Sequence, residues 1–219
     1  MTWRNSPLLR KRSQITELID SLLADDIDAI AGLLAKFPSL AHEPLTLGAT
    51  RQESVDYFID EIGHYIYSGD TALHIAAMTY CVDAVAMLCE HGADVAARNR
   101  RGAQPLHYAC DGSPNAPTWN PTRQGATVAR LIDLGADPNA LDKSGVAPIH
   151  RAVRQRCTGA LKALIAGGAN VNLRNKSGTA PIRLAQLTTG RGGSGTAETK
   201  REQEAVIQLL LAAGAREES

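Results

Sequence analysis

Aromatic side chains are scarce in this chain: two Trp, five Tyr and two Phe among 219 residues, 4% in all. With 44% apolar residues, the interior must be filled by Leu, Ile, Val and Ala, a mixture that suits closely stacked helices. Cysteine is scarce too. Cys81, Cys89, Cys110 and Cys157 form no C-x-x-C pair, which argues against a disulfide framework and for a reducing compartment. Net charge is absent, with 23 Lys and Arg against 23 Asp and Glu, so the simplest argument for nucleic acid or membrane as partner is gone. No run is long and apolar enough to span a bilayer, and the opening MTWRNSPLLRKR lacks the apolar stretch of a signal peptide. The expectation is a cytoplasmic protein.

The charge that is present is unevenly placed. Residues 1–68 carry six Lys and Arg against ten Asp and Glu, and residues 69–219 seventeen against thirteen, so an acidic front joins a basic body. That body repeats itself. GDTALHIAA at Gly69, GAQPLHYAC at Gly102, GVAPIHRAV at Gly145 and GTAPIRLAQ at Gly178 align, and each is followed by a second signature, HGADV, LGADP, GGANV or AAGAR. The first and third intervals are 33 residues and the second is 43, which marks an insertion of ten.

These units resemble ankyrin repeats, whose signature is T-P-L-H-x-A at a period of 33, and the resemblance runs from about Ile15 onward. It implies an all-α fold, an ankyrin-repeat solenoid of stacked helix-turn-helix units with short β-hairpin-like fingers. The residues agree. In the third unit Ile149, Ala152 and Val153 mark one amphipathic helix, and Leu161, Leu164 and Ile165 a second. Neither buries its stripe alone, so units must stack. Upstream, Ile15, Leu18, Ile19 and Leu22, then Ile27, Ile30, Leu34 and Phe37, mark a helical pair with Asp25 or Asp26 as a cap and Pro38 as a stop. The expected organisation is a capping unit over 1–40, an aromatic and acidic insertion over 41–68, and repeats over 69–101, 102–144, 145–177 and 178–219. The pattern departs from the family's in places: its threonine survives only as Thr71, with Gln104, Ala147 and Ala180 elsewhere, and Arg183 replaces a fourth histidine.

Three insertions break the periodicity. Two fall between first and second helix, around 113–124 and 190–199, and Arg123, Arg154, Arg156, Arg191, Lys200 and Arg201 suggest a basic patch beside them. The second contains GRGGSGT, which has the glycines of a phosphate loop but no lysine in the required place, and follows a helix where a P-loop follows a strand. A nucleotide-hydrolysing site is therefore not expected, and a flexible insertion is the plain reading. As an anion cradle, its candidates are Arg191, Gly192, Gly193 and Ser194. The third insertion, ESVDYFIDEIGHYIYSGD, predicts a helix with Val55, Phe58, Ile59, Ile62, Tyr65 and Ile66 on one face. The plainer expectation is that its apolar face extends the core with the acids solvated outside; the alternative is that the acids lean on the finger cations Arg98, Arg100, Arg101, Lys143, Arg174 and Lys176, with the insertion lining or filling the groove.

Chemistry is faint. His74, His107 and His150 recur at equivalent sites about 8–10 Å apart, too far to share one metal, so no metal and no cofactor is implied. His64, one turn after Asp60, is the best acid-base candidate, and Cys157 beside Arg154 and Arg156 a candidate activated thiol; no reaction is required by either. Trp119, between prolines, reads equally as an exposed anchor or as a pin for its loop. The resemblance implies an interaction module that binds a protein partner through the concave face and fingers, and the finger cations suggest an acidic partner. Its expected contacts are Arg100, Arg101, Lys143, Arg154, Gln155 and Lys176, with Tyr65, Tyr67 and Trp119 as aromatic anchors. A small-molecule or anion-binding protein, with enzymatic activity left open, is the alternative, its pocket formed by the insertion and the basic fingers. Nucleic acid is disfavoured as a partner, and the oligomeric state is left open, with a monomer sufficient.

Overall fold

The computed structural model describes residues 13–50, 52, 54–112, 119–187 and 197–216. Within them the helices come in pairs: α1 (Gln14–Ala24) with α2 (Ile27–Lys36), α3 (Ala72–Met78) with α4 (Val82–Glu90), α5 (Pro105–Ala109) with α6 (Pro121–Asp133), α7 (Pro148–Gln155) with α8 (Thr158–Ala166), and α9 (Pro181–Gln186) with α10 (Ala197–Ala212). First helices pack on first helices, α1 on α3, α3 on α5, α5 on α7 and α7 on α9; second helices form a parallel row, α2 through α10. One core runs along the stack, from Leu18, Leu22 and Leu34 at one end to Val206 and Leu210 at the other. The upstream pair joins this stack as the residues predict, with Asp26 capping α2 through the Ala29 N–H at 3.0 Å.

The repeated histidines explain how neighbours are joined. His74 Nδ1 accepts the Thr71 N–H at 3.1 Å, and its Nε2 donates to Ala103 O of the next unit at 3.2 Å. His107 repeats this with the Gln104 N–H at 3.1 Å and Val146 O at 3.0 Å. His150 accepts the Ala147 N–H at 3.0 Å. The anchor at the helix start is a backbone N–H, so the loss of threonine in the later units leaves this joint intact. Nδ1 of each ring is engaged within its own unit, while His150 Nε2 is buried without a hydrogen-bond partner.

Fingers project between the pairs as tight turns. Asn99 Oδ1 accepts the N–H groups of Arg101 and Ala103, Asp142 Oδ1 those of Ser144 and Val146, and Asn175 Oδ1 those of Ser177 and Thr179. Gly102, Gly145 and Gly178 close them at φ of 75°, 68° and 76°, a region that penalises a β-carbon.

The helix expected across the third insertion is not there. Val55–Tyr57 make one 3₁₀ turn, and a two-stranded antiparallel hairpin follows, β1 (Phe58–Ile59) with β2 (His64–Tyr65), pairing Phe58 with Tyr65 and Ile59 with His64. Asp60 to Gly63 form its tip, with Gly63 at φ 61°. Tyr57 and Ile59 are buried, whereas Val55, at the start of the turn, is 61% exposed. The base is tied down by Ile66 N–H to Tyr57 O at 2.9 Å and Ala49 N–H to Ile66 O at 2.7 Å.

Candidate functional site

The hairpin lies against the row of first helices, and two hollows flank its tip. The larger, about 800 Å³, opens between α1, the end of α3 and Trp119, with Leu22, Ile62, Met78 and Trp119 among its apolar walls. The smaller, about 330 Å³, opens toward the fingers and is lined by Tyr65, Tyr67, Arg101, Asp142, Arg151 and Arg154 among others. His64, Asp111 and Gln155 border both. The insertion therefore lines the groove and divides it.

A chain of charges forms the partition. His64 Nε2 donates to Asp111 Oδ2 at 3.3 Å, Arg151 donates to the same oxygen at 2.6 Å, and the other end of Arg151 reaches Asp142 Oδ2 at 3.3 Å. His64 Nδ1 faces Tyr65 O at 2.8 Å. An acceptor thus sits on each side of the ring. Burial opposes the Asp111 charge, but Arg151 and His64 outweigh it and hold the carboxyl well below the usual carboxylate range. Burial likewise opposes the charge on Arg151, and Asp111 overcomes it and raises the guanidinium's pKa. Removing one partner from such a set leaves an uncompensated charge. The partner expected for His64 was Asp60. Asp60 is instead exposed at the hairpin tip, because the missing helical turn no longer sets the two side chains together.

Beneath this chain lies a second network. Asp70 is fully buried and accepts from Asn99 at 2.8 Å, Tyr108 Oη at 2.8 Å and the Tyr67 N–H at 2.7 Å. It fixes the start of α3, the first finger and the end of the insertion together. The sequence reading did not single out Asp70, Asp111 or Arg151, although a charged residue inside an apolar first-helix motif was a visible signal.

The expected contact residues divide into groups. Arg101 lies 5.0 Å from the Tyr67 ring centroid, donates to its hydroxyl at 2.9 Å and stays exposed. Arg154 is exposed at the mouth of the smaller hollow. Arg100 also lies over Tyr67, and its guanidinium donates to Ala49 O. Lys143 Nζ donates to Arg100 O at 2.8 Å and Lys176 Nζ to Lys143 O at 2.6 Å, so these ammonium groups brace successive fingers. Among the described residues the insertion meets the fingers through the Tyr67 ring and through the Ala49 and Ser68 carbonyls, and not through its acids. Tyr65 packs on Phe58 with centroids 4.8 Å apart. Trp119 is half-buried, its indole N–H held by Gln124 Oε1 at 3.2 Å, so it is pinned and still walls the larger hollow.

Two other expectations fail. Cys157 is fully buried, and burial pushes its thiol up to about 12, the opposite of activation. Arg156 is buried with its Nη1 toward Thr199 O at 3.4 Å, which removes it from a surface patch. Arg191, Gly192, Gly193 and Ser194 lie outside the described residues. No helix among the described residues is long and apolar enough to cross a membrane.

Residues 41–117 match the family model described as Ankyrin repeats (3 copies), and residues 131–185 the one described as Ankyrin repeats (many copies). No curated protein matches the chain.

Proposed function

We propose that this chain, which belongs to the ankyrin-repeat family, binds a protein partner through the groove between its hairpin and its fingers. Ankyrin repeats are generally protein-protein interaction modules, and the observation supporting this face is the smaller hollow, where Arg101 and Arg154 stand exposed beside Tyr65 and Tyr67. Arg151 is balanced by Asp111 and Asp142, so the two outer arginines set the sign of the surface. An acidic side chain of the partner fits between them, with the tyrosine rings covering its stem. Of the other expected contacts, Gln155 lies at the rim shared with the larger hollow, while Arg100, Lys143 and Lys176 shape the fingers against which the partner rests. Trp119 serves the larger hollow.

A pull-down from cytoplasmic extract tests this. Arg101→Glu with Arg154→Glu should lose the prey that the wild-type chain retains, and Lys162→Glu, on the exposed side of α8, should keep it. Retention by the groove variant, with loss by the α8 variant, places the partner on the opposite row. A second reading, a small anionic ligand held in the same hollow, is supported by its size, which lies at the lower end for such sites. Thermal-shift measurements with a series of small dicarboxylates would support it if stabilisation disappears in the Arg101→Glu, Arg154→Glu variant.

A further inference from the structure

The larger hollow, on the far side of the hairpin from the fingers, has a wall chemistry of its own. Leu22, Leu23, Ile62 and Met78 supply apolar surface, and the Trp119 indole closes one side. Most donors at its border are engaged inside the protein. Trp119 Nε1 is held by Gln124, Tyr80 Oη donates to Asp111 O, Thr79 Oγ1 donates to Ala76 O at 3.1 Å, and both His64 nitrogens face acceptors. Arg123 is tied at the rim, Nη2 to Asp25 at 2.7 Å and Nε to Tyr80 O at 3.3 Å.

What the wall leaves over is of one kind. Gln155 Oε1 is buried without a hydrogen-bond partner, a condition that costs the folded state unless a donor arrives. The Glu61 carboxylate stands at the hairpin tip with no hydrogen bond or ion pair among the described residues. Both described hydrogen bonds to the Asp111 carboxylate fall on Oδ2, leaving Oδ1 as a further acceptor. A hollow with apolar walls, an indole and unmatched acceptors calls for a ligand with a greasy stem and a hydrogen-bond-donating cationic end, which the indole also favours through its π face.

We propose that this hollow is a binding site for an alkyl ammonium or alkyl guanidinium group, the chemistry of a lysine or arginine side chain. The stem lies against Leu22, Met78 and Trp119, and the cationic head donates to Gln155 Oε1 and Glu61. The site shares the His64, Asp111 and Gln155 border with the arginine-lined hollow but carries the opposite preference, and Glu61 lines this hollow while Arg101 and Arg154 line the other, so Glu61→Gln and the arginine variants distinguish the two readings.

Trp119 provides the readout. Trp3 is the only other tryptophan in the sequence, and a Trp3→Phe background isolates the signal. The full chain is titrated with N-acetyl-arginine amide, N-acetyl-lysine amide, the neutral N-acetyl-norleucine amide and N-acetyl-glutamate amide. The expected result is a saturable change in Trp119 emission with the two cationic probes, at least tenfold tighter than with norleucine, and none with glutamate. Glu61→Gln and Gln155→Leu should each weaken the cationic probes about threefold or more, and Glu61 is exposed enough for its variant to fold normally. The Arg101→Glu, Arg154→Glu variant should leave this binding unchanged. Glycine-flanked tripeptides of the same residues separate the sources: tighter binding than the single amides assigns the site to a partner's side chain, weaker binding to a free small cation. No saturable change, equal binding of norleucine or glutamate, or indifference to both Glu61→Gln and Gln155→Leu would overturn the proposal.

Discussion

Arg151 occupies the place that Ile75 and Tyr108 hold in the two preceding units, one residue after the repeated histidine. A charge there is tolerable only because Asp111 and Asp142 come from either side to meet it. The aligned repeats displayed this substitution, yet its meaning depends on which side chains face one another across units, and a one-dimensional alignment does not carry that. The repeated histidines gave the reverse lesson: their recurrence was plain, and their role as joints follows from the pattern alone. Their burial has a pH consequence. Burial first, then the nearby Arg151 charge, lowers His107 from 6.5 to about 4, and burial lowers His74 and His150 as well. A histidine depressed in the folded state is protonated first in the unfolded chain, so its contribution is fully present above about pH 6.5 and is lost as the pH falls toward 4. For His107 that loss is roughly 3 kcal/mol at about 1.4 kcal/mol per pH unit. Urea unfolding at pH 7.5, 5.5 and 4.5 should show falling midpoints, and His107→Gln should flatten the slope while lowering the midpoint at pH 7.5.

The hairpin is the element that sequence reasoning misjudged. Val55, Phe58, Ile59, Ile62, Tyr65 and Ile66 satisfy helical spacing, and the same stretch also reads as two short runs around Asp60 to Gly63, a loop length and a glycine typical of hairpins. Periodicity does not arbitrate between the two in so short a segment. What arbitrates is outside it: residues 45–49 run beside 66–70 through Leu45 N–H to Asp70 O, Gly69 N–H to Leu45 O and Ala49 N–H to Ile66 O, each at 2.7 Å. Gly48 permits that approach. A β-carbon there would lie 2.3 Å from Ser68 N and 2.4 Å from Tyr67 C, both backbone atoms. Gly48→Ala should therefore part the two passes and loosen the hairpin while the helical stack persists. Hydrogen exchange would show it as faster exchange at Ala49 and Ile66, with the Val85 and Leu131 amides on α4 and α6 unchanged.

For the whole molecule, stability is divided among interfaces between adjoining units, and the sequence foretold that division well because each unit repeats the same buried stripe. It did not foretell where the stack is tightest. At the crossing of α6 and α8, a β-carbon on Gly159 would lie 2.0 Å from Pro121 O, and one on Gly125 3.0 Å from Gly159 O. Two glycines thus let the backbones of the second and third repeats approach. Gly159→Ala should cost about 1–3 kcal/mol of overpacking strain and weaken one interface selectively. In a solenoid, where neighbours supply most of the cooperativity, this predicts a broadened or two-step urea transition that a single-step wild type lacks.

The lysine bracing of the fingers has a direction. Lys176 reaches back to the carbonyl of Lys143, and Lys143 back to that of Arg100, so both lysine tethers are thrown from a later finger to an earlier one, whereas Arg98 reaches forward to Leu141 O at 2.8 Å. Neutralising Lys176 releases only the outermost rung, whereas neutralising Lys143 loosens the finger on which Lys176 itself is anchored, leaving it held by Lys143 N–H to Arg101 O at 2.9 Å and by Arg98. Acylation of these two amines is therefore unequal in effect, and a tug on the chain from its far end meets the tethers one after another.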